Sequence, residues 1–162
     1  MDKTFTINVD GQDHAITADP AMPLLYALIN ELGKRGPKFG CGLAQCGACT
    51  VLLDGVTVRS CVLPISKVSG NIRTLDGLGT EEKPHPLQKA FIAEEAGQCE
   101  YCISGWILTA TVLLEENPIR SDGEIRRALA GLKCRCGTHM SILRAIKRAA
   151  AEMAAAQGTQ GR

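Results

Sequence analysis

Three cysteines stand close together in residues 40–50, which read Gly-Cys-Gly-Leu-Ala-Gln-Cys-Gly-Ala-Cys-Thr. A fourth cysteine follows after eleven further residues. Thiolates are soft ligands that bind iron–sulfur clusters and zinc, and the spacing C-x4-C-x2-C with a distant fourth cysteine holds a [2Fe–2S] cluster in plant-type sites. The pattern therefore predicts a cluster bound by four thiolates, those of Cys41, Cys46, Cys49 and Cys61.

The loop must stabilise negative charge, because an oxidised [2Fe–2S] cluster with four thiolates carries a formal charge of about −2. Gly40, Gly42 and Gly47 lie between or beside the cysteines. Glycine adopts backbone conformations that are closed to other residues, so these positions let the loop curl and turn amide N–H groups toward sulfur, as in an anion-binding nest. We expect such hydrogen bonds to help set the reduction potential of the cluster.

Two other roles for these cysteines stay open at this point. A structural zinc site prefers paired C-x2-C or mixed Cys and His ligands, which the x4 spacing fits less well. Disulfides would suit an even number of cysteines, and the chain has eight. The chain opens Met-Asp-Lys with no apolar signal segment, however, and gives no sign of an oxidising compartment. We expect a cytoplasmic location, although a partner subunit can carry a membrane or export address.

The distribution of the eight cysteines predicts two small domains. Four cysteines lie between residues 41 and 61 and four between residues 99 and 136, on either side of a turn-rich stretch. Domains of about 50–200 residues are common. We therefore expect a cluster-binding domain at residues 1–76, a linker at 77–85, a helical domain at 86–153 and a disordered tail at 154–162.

The charge and hydropathy of the chain argue against two classes of partner. Lysine and arginine number 18 against 17 acidic residues, which gives a net charge of +1, and no basic stripe of the kind that binds nucleic acid is present. The longest mostly apolar run, residues 103–114, falls short of the ~18 residues expected of a membrane span. We predict no nucleic-acid binding and no direct membrane insertion.

The first half of the chain has the pattern of a small sheet. Residues 4–16 alternate as a hairpin that turns at Asp10-Gly11, and Asp54-Gly55 forms a second favoured two-residue turn between apolar runs. Residues 24–32 have the apolar spacing of one helix. A last strand near Ile72 would complete a mixed sheet crossed by that helix. We expect a β-grasp, ferredoxin-like domain in which the second hairpin returns Cys61 to the cysteine loop.

From Pro86 onward the apolar spacing becomes helical and predicts four helices. They begin near Pro86, near Ser104, after a capping box that opens at Ser121, and near Ser141. One cysteine pair lies between the first two helices and the other pair between the last two. Loops at one end of a four-helix bundle can converge, so we expect these thiols to meet there. By itself, this second set suits zinc nearly as well as iron.

The chain resembles a known family when the two cysteine sets are taken together. The signature is C-x4-C-x2-C-x11-C followed by Gln98-Cys99-Glu100-Tyr101-Cys102 and Cys134-Arg135-Cys136-Gly137. It is similar to the iron–sulfur small subunit of the molybdenum hydroxylases, the xanthine oxidase family, as found in bacterial aldehyde, isoquinoline or nicotinate dehydrogenases. The resemblance covers residues 4–150. It implies an α+β chain with two [2Fe–2S] clusters, the second bound by Cys99, Cys102, Cys134 and Cys136.

This resemblance also implies an electron-transfer role beside a large subunit that carries molybdenum on a pterin cofactor. Gln98 would hydrogen-bond the pterin, and Cys136 would lie close to it while serving as a cluster ligand. Electrons would leave toward an external acceptor, a flavin subunit or a cytochrome. The sequence has no nucleotide-binding loop and no nucleophile with its base, so we assign it no catalytic residue. The rival interpretations are a free-standing two-cluster ferredoxin and a zinc-stapled scaffold.

The sequence departs from the family pattern at a few positions but keeps all eight cysteines. The family's usual Gly-Tyr-Cys-Thr-Pro-Gly is Glu-Tyr-Cys-Ile-Ser-Gly at residues 100–105, and His139 stands where a tyrosine is common. We expect His139 to be a helix-start or interface residue. The other histidines, His14 and His85, are expected to face solvent, and Trp106 to pack rather than to relay electrons.

Overall fold

The computed structural model describes residues 1–160, which form an α+β structure with one five-stranded sheet and a set of helices. The strands are β1 (Lys3–Val9), β2 (Gln12–Ala18), β3 (Thr50–Leu53), β4 (Val56–Arg59) and β5 (Asn71–Arg73). The helices are α1 (Leu24–Tyr26), which continues as a π-helical segment (Ala27–Glu31), α2 (Pro86–Ala93), α3 (Ile103–Glu116), α4 (Asp122–Leu129) and α5 (His139–Gln160). A short 3-10 turn lies at Ile65–Lys67.

The sheet is mixed, with the strand order β2-β1-β5-β3-β4. β1 pairs with β2, and β3 with β4, in antiparallel hairpins. β5 lies parallel to β1 and antiparallel to β3. Both hairpins turn at the predicted Asp-Gly pairs, where Asp10 (φ 53°) and Asp54 (φ 49°) adopt positive φ, as the two-residue turn that matches strand twist requires. The prediction of both hairpins is confirmed.

One helical segment packs on a face of the sheet. Its residues Leu24 and Leu28 are fully buried among inward-facing strand residues that include Val9 and Ile72. The predicted single helix over residues 24–32 is in fact α-helical for one turn and then π-helical, with the N–H of Leu32 donating to the carbonyl of Ala27 at 3.1 Å. The segment ends immediately before the loop that leads to the first cysteines.

Helices α2 to α5 enclose a second core. Its centre contains residues with no exposed surface, such as Leu108, Leu114 and Ile146. The capping box at the start of α4 is present: the N–H of Glu124 donates to Ser121 Oγ, and the N–H of Ser121 donates to the Glu124 carboxylate. The predicted starts of α2 and α4 are confirmed. No helix within residues 1–160 combines the length and apolarity needed to cross a membrane.

The two halves of the chain pack directly against each other where α3 meets β3. Leu52 of β3 is buried within the helical core. At Gly105 of α3, an added Cβ would stand 2.3 Å from the carbonyl oxygen of Gly47, so only glycine allows this close approach. The junction places the start of α3, where the second cysteine set begins, beside the first cysteine loop.

Three expectations about individual segments are corrected by the structure. Residues 154–160, expected as a disordered tail, continue α5, since residues 154–156 are alanine, the strongest helix former; residues 161–162 lie outside the described part of the chain. His85 does not face solvent, because its side chain is 11% exposed and its Nδ1 accepts the N–H of Leu87 at the start of α2. His14 is half-buried, with its Nε2 inaccessible.

Candidate iron–sulfur sites

The loop before β3 and the hairpin after it bring the first four cysteines together. Cys49 and Cys61 are buried, whereas Cys41 and Cys46 are partly exposed. The hairpin fixes the fourth cysteine, because both the N–H and the hydroxyl of Ser60 donate to the carbonyl oxygen of Cys49, at 3.3 and 2.7 Å. The predicted return of Cys61 by the β3–β4 hairpin is therefore present in the structure.

Backbone N–H groups of this loop face the sulfur of Cys41. Those of Leu43, Gln45 and Cys46 lie 3.3, 3.2 and 3.4 Å from Cys41 Sγ. The hydrogen bonds from Leu43 and Cys46 lower the pKa of Cys41 to about 7. The predicted nest of amides around sulfur is confirmed, and it stabilises negative charge at this end of the loop.

Glycine is required at several points of the loop. Gly42 and Gly47 have φ of 65° and 86°, in the left-handed region that favours glycine. A Cβ at Gly40 would stand 2.7 Å from Cys46 Sγ, and one at Gly47 would stand 2.2 Å from a methyl carbon of Leu132. The loop thus winds tightly around its sulfurs and also contacts the helical half of the chain.

The second four cysteines converge from two loops, one before α3 and one between α4 and α5. All four line one small cavity, which Trp106 and Thr138 also line. The hydroxyl of Thr138 lies 3.6 Å from Cys134 Sγ. Cys102 is the N-cap residue, immediately before α3. The expected convergence of the two loops is therefore present.

The thiols of this second set differ in their pKa values. Burial, together with the neighbouring charge of Cys134, raises the pKa of Cys102 to about 11, while the indole N–H of Trp106 acts in the opposite direction. Burial also acts to raise the pKa of Cys134, but hydrogen bonds from Thr138 and Gly137 outweigh it and bring the pKa to about 7. A thiol with a raised pKa and a thiol with a lowered pKa thus lie side by side.

The eight thiols are arranged in four pairs whose side chains lie within hydrogen-bonding reach. The pairs are Cys41 with Cys46, Cys49 with Cys61, Cys99 with Cys136, and Cys102 with Cys134. All eight are free of disulfides. A [2Fe–2S] cluster takes two protein ligands on each of its two irons, so two pairs in each site fit such a cluster. Among the described residues, no three His, Cys, Asp or Glu side chains are grouped to hold a single metal ion.

Hydrogen bonds connect the two cysteine sites. The N–H of Lys133, the residue before Cys134, donates to the carbonyl oxygen of Cys46 at 3.0 Å. Ser104 Oγ of α3 donates to the carbonyl oxygen of Ala48 at 3.2 Å. The sequence pattern places the two sets in separate domains and does not predict this contact. Gly47 and Gly105, which meet at the junction, are the sequence feature that marks this close approach. Their positions in the sequence do not reveal which segment each one contacts.

The remaining candidate residues lie around the second site. Gln98 is exposed beside the exposed Cys99. His139 is the first residue of α5, as expected, and its ring lies edge-on to that of Trp106 with centroids 5.5 Å apart. Trp106 packs, as expected, and is 5% exposed. It also lines the cysteine cavity, which its position one helical turn after Cys102 could have indicated.

Two family models divide the chain between them. The model described as "2Fe-2S iron-sulfur cluster binding domain" matches residues 7–72, and the model described as "[2Fe-2S] binding domain" matches residues 74–147. Each match contains one of the two cysteine sets. A nicotinate dehydrogenase subunit of Pseudomonas putida is 53% identical over 151 residues, which cover 93% of this chain and 96% of that relative.

Solved structures of two oxidoreductases share the fold. The quinoline 2-oxidoreductase structure from Pseudomonas putida has a chain that superposes with a TM-score of 0.88 and 36% identity, over 93% of this chain and 94% of that one. The aldehyde oxidoreductase of Desulfovibrio desulfuricans superposes with a TM-score of 0.90 and 37% identity. There the match covers 94% of this chain but 17% of the other, so the present chain corresponds to one part of that protein.

Proposed function

Because the chain belongs to the iron–sulfur small subunits of the molybdenum hydroxylase family, we propose that it relays electrons from the molybdenum–pterin site of a larger partner subunit to an outside acceptor. It binds two [2Fe–2S] clusters, one for each matched domain. The observation that carries the proposal is the pair of four-thiol sites joined by the hydrogen bond from Lys133 to Cys46. Two redox sites in contact suit a relay better than a scaffold.

The ligand assignment follows the paired thiols. We assign to the first site, here called the ferredoxin-like cluster, the ligands Cys41, Cys46, Cys49 and Cys61. We assign to the second, here called the helical-domain cluster, the ligands Cys99, Cys102, Cys134 and Cys136. When bound, each cluster takes up and releases one electron. In the first site, the amides that face Cys41 stabilise the charge on sulfur.

We also propose a specific fold for each half of the chain. The mixed sheet with its crossing helical segment supports a β-grasp, ferredoxin-like domain at residues 1–76. Helices α2 to α5 support a four-helix bundle at residues 86–153, with residues 77–85 between the two. In this arrangement the two clusters lie on either side of the junction between α3 and the first cysteine loop.

The direction of electron flow is the one that the family resemblance implies, and exposed residues at both sites are consistent with it. Gln98 and Cys99 are exposed in the loop before α3, and we infer that this loop faces the pterin of the large subunit. Gln98 would hydrogen-bond the pterin, with Cys136 close to it. The loop around Cys41 presents Leu43, which is 67% exposed, and would face the acceptor, either a flavin subunit or a cytochrome. A cytoplasmic location is part of the same proposal.

The relatives favour an aromatic N-heterocycle as the substrate of the complex. The nicotinate dehydrogenase subunit is 53% identical to this chain, compared with 37% for the aldehyde oxidoreductase structure. The substrate site would lie on the large subunit, and this chain would supply no catalytic residue. We therefore propose nicotinate as the first substrate to test and an aldehyde as the second.

Purification of the native complex through a tag on this chain tests the function. We expect a larger molybdenum-containing subunit to co-purify, with about four irons per copy of this chain, since two clusters hold two irons each. Anaerobic substrate should then reduce both clusters, which should give two different EPR signals. Two filled clusters without a molybdenum partner would indicate a free ferredoxin, and zinc in place of iron would indicate a scaffold.

A further inference from the structure

Trp106 is a buried residue of α3 whose indole N–H has no acceptor of ordinary geometry. Its side chain is 5% exposed, and Nε1 has no hydrogen-bond partner within residues 1–160. Buried polar groups in native proteins are almost always paired, and an exception calls for a specific explanation. Buried Tyr and Trp side chains in particular ordinarily find a partner for their polar atom. The orphaned N–H therefore indicates a bound group as its acceptor.

The direction of this N–H is set by the helix. Trp106 lies four residues after Cys102, so the two side chains occupy the same face of α3 one turn apart. Burial raises the pKa of the Cys102 thiol, and the indole N–H is near enough to act in the opposite direction, but the two atoms are not in hydrogen-bonding geometry. Trp106 also lines the small cavity among the four cysteines of the second site. Its polar atom thus faces the space where the proposed ligands converge.

The ring of Trp106 also borders a second, mostly apolar cavity of about 300 Å³. His139 contacts the ring edge-on, with an interplanar angle of 80°, and Ile125, Leu129 and Ile142 line this cavity. None of these three aliphatic side chains can accept a hydrogen bond. The aliphatic lining therefore offers Nε1 no alternative acceptor, and the edge-on contact with His139 restricts the ring.

We propose that the indole N–H of Trp106 donates a hydrogen bond to a sulfur atom at the Cys102 side of the helical-domain cluster and raises the reduction potential of that cluster. This rests on the proposed ligand set. When bound, this cluster would accept one electron from the partner subunit's molybdenum site and so gain one negative charge. Hydrogen bonds to sulfur are one of the factors that set these potentials, and a donor stabilises the more negative, reduced form.

Trp106 is not a catalytic residue, because its N–H contacts no substrate. It would act on the reduction potential of the cluster. It also distinguishes the two sites. The ferredoxin-like site surrounds Cys41 with backbone amides, which no side-chain substitution removes. In the helical-domain site side chains also supply donors, the Trp106 indole on the Cys102 side and the Thr138 hydroxyl beside Cys134. These donors can be deleted by substitution.

An EPR-monitored redox titration of the cluster-loaded complex tests this role. Trp106→Phe keeps an aromatic ring and removes the N–H. Ile107→Val is the matched control, because Ile107 is also buried in α3 but does not line the cysteine cavity. We expect the potential of the helical-domain cluster to become more negative in W106F alone, with the ferredoxin-like cluster unchanged in both variants. No shift in W106F, or an equal shift in I107V, would overturn the proposal.

A second measurement decides the question even where W106F fails to hold its cluster. Trp106 is the only tryptophan of the chain, so indole labelled with ¹⁵N in this chain marks one atom. Pulsed EPR of the reduced wild-type protein should show coupling of that nitrogen to the unpaired electron of one cluster. Two intact [2Fe–2S] signals without this coupling would refute the hydrogen bond and leave the electron-transfer function standing. Absence of a second cluster would instead refute the ligand set on which the proposal rests.

Discussion

The two cysteine sites each bring four thiols together, but they differ in how close those cysteines lie in the sequence. In the first, three cysteines lie in one loop of residues 40–50, and a hairpin with a two-residue turn returns the fourth. In the second, two pairs come from loops about 35 residues apart that meet only when α2 to α5 have packed. The first site is built mainly by local backbone geometry, and the second by the tertiary structure.

The difference extends to how each site stabilises charge. Backbone amides dominate around Cys41, because Gly42 and Gly47 allow the loop to curl. Around Cys134, the hydroxyl and backbone of Thr138 contribute, and Trp106 lies nearby. Since hydrogen bonds to sulfur and burial set cluster potentials, two clusters of one type in these two sites should differ in potential.

The largest expected effect is loss of one cluster without the other. Cys46→Ser replaces a soft thiolate with a poorer hydroxyl ligand, so we expect the ferredoxin-like cluster to be lost while the helical-domain cluster stays. Anaerobic substrate should still reduce the molybdenum site and the helical-domain cluster, but turnover with the physiological acceptor should fall to background. EPR after substrate titration, beside a steady-state assay, measures both effects.

Cys134→Ser is the matched control. It should remove the helical-domain cluster and thereby prevent substrate from reducing the ferredoxin-like cluster. Full turnover in a Cys46→Ser protein verified to lack its cluster would show that the first site is not on the electron path. Iron content and circular dichroism should accompany both variants, because bound metal can also support folding.

The convergence of the first four cysteines was predicted from the sequence, because its determinants are short-range. The Asp54-Gly55 turn fixes the register of the hairpin, and that register returns Cys61. The convergence of the second set was predicted only from helix order. The contact between the two sites was not predicted at all, since the hydrogen bond from Lys133 to Cys46 depends on how two folded halves pack, and no periodicity encodes that.

A substitution at the junction tests whether this contact matters. Gly105→Ala should raise helix propensity by up to about 1 kcal/mol, but its Cβ would stand 2.3 Å from the carbonyl oxygen of Gly47. Overpacking of this kind costs about 1–3 kcal/mol, and the neighbour here is backbone that cannot rotate away. We therefore expect net destabilisation of about 1–2 kcal/mol, seen as a lower denaturant midpoint.

Gly123→Ala provides the comparison, because this glycine lies in α4 and a Cβ there would meet nothing nearer than 4.0 Å. That variant should be as stable as the wild type or more stable. If G105A behaves like G123A, the close approach of α3 to the first cysteine loop does not contribute to stability. Spectra of both clusters in G105A would further show whether the junction transmits the strain to either site.

A third prediction compares two glutamines, each preceding a cysteine. Gln98 precedes Cys99 in the second site and Gln45 precedes Cys46 in the first, and both glutamines are exposed. Gln98→Ala should leave both clusters filled but slow their reduction by the partner's molybdenum site about tenfold, the equivalent of about 1.4 kcal/mol in a barrier. Gln45→Ala should leave that rate unchanged. Rapid-mixing kinetics under anaerobic conditions, with molybdenum content as a second readout, measure the effect.

Normal reduction kinetics and normal molybdenum content in Gln98→Ala would remove Gln98 from the pterin site. Equal slowing by Gln45→Ala would point to a general effect of the loops on assembly rather than to a contact with the partner's cofactor. Either result would leave the assignment of the eight cysteines in place, because neither glutamine is a ligand in it.

The smallest expected effect concerns pH and lies away from both clusters. His85 Nδ1 accepts the N–H of Leu87 at 3.2 Å and so caps α2, which requires the neutral ring. Burial lowers the pKa of His85 from its ordinary value near 6.5, although Glu115 acts to raise it. Below that value the unfolded chain binds more protons than the folded chain, so stability should fall as pH decreases from about 6.5 through the lowered pKa.

His85→Asn keeps a side chain that can cap the helix and removes the titration. We expect equal stability of the two proteins near pH 8, and a wild type that is less stable than the variant by up to about 1 kcal/mol at pH 5, the typical contribution of one cap. Denaturant unfolding at both pH values measures the difference. Carboxylates such as Glu94 and Glu124, whose hydrogen bonds to arginine and serine lower their pKa values, titrate below this window in both proteins and cancel in the comparison. Identical pH dependence of the two proteins would mean that protonation of His85 is not linked to folding, because the ion pair of the protonated ring with Glu115 offsets the lost cap.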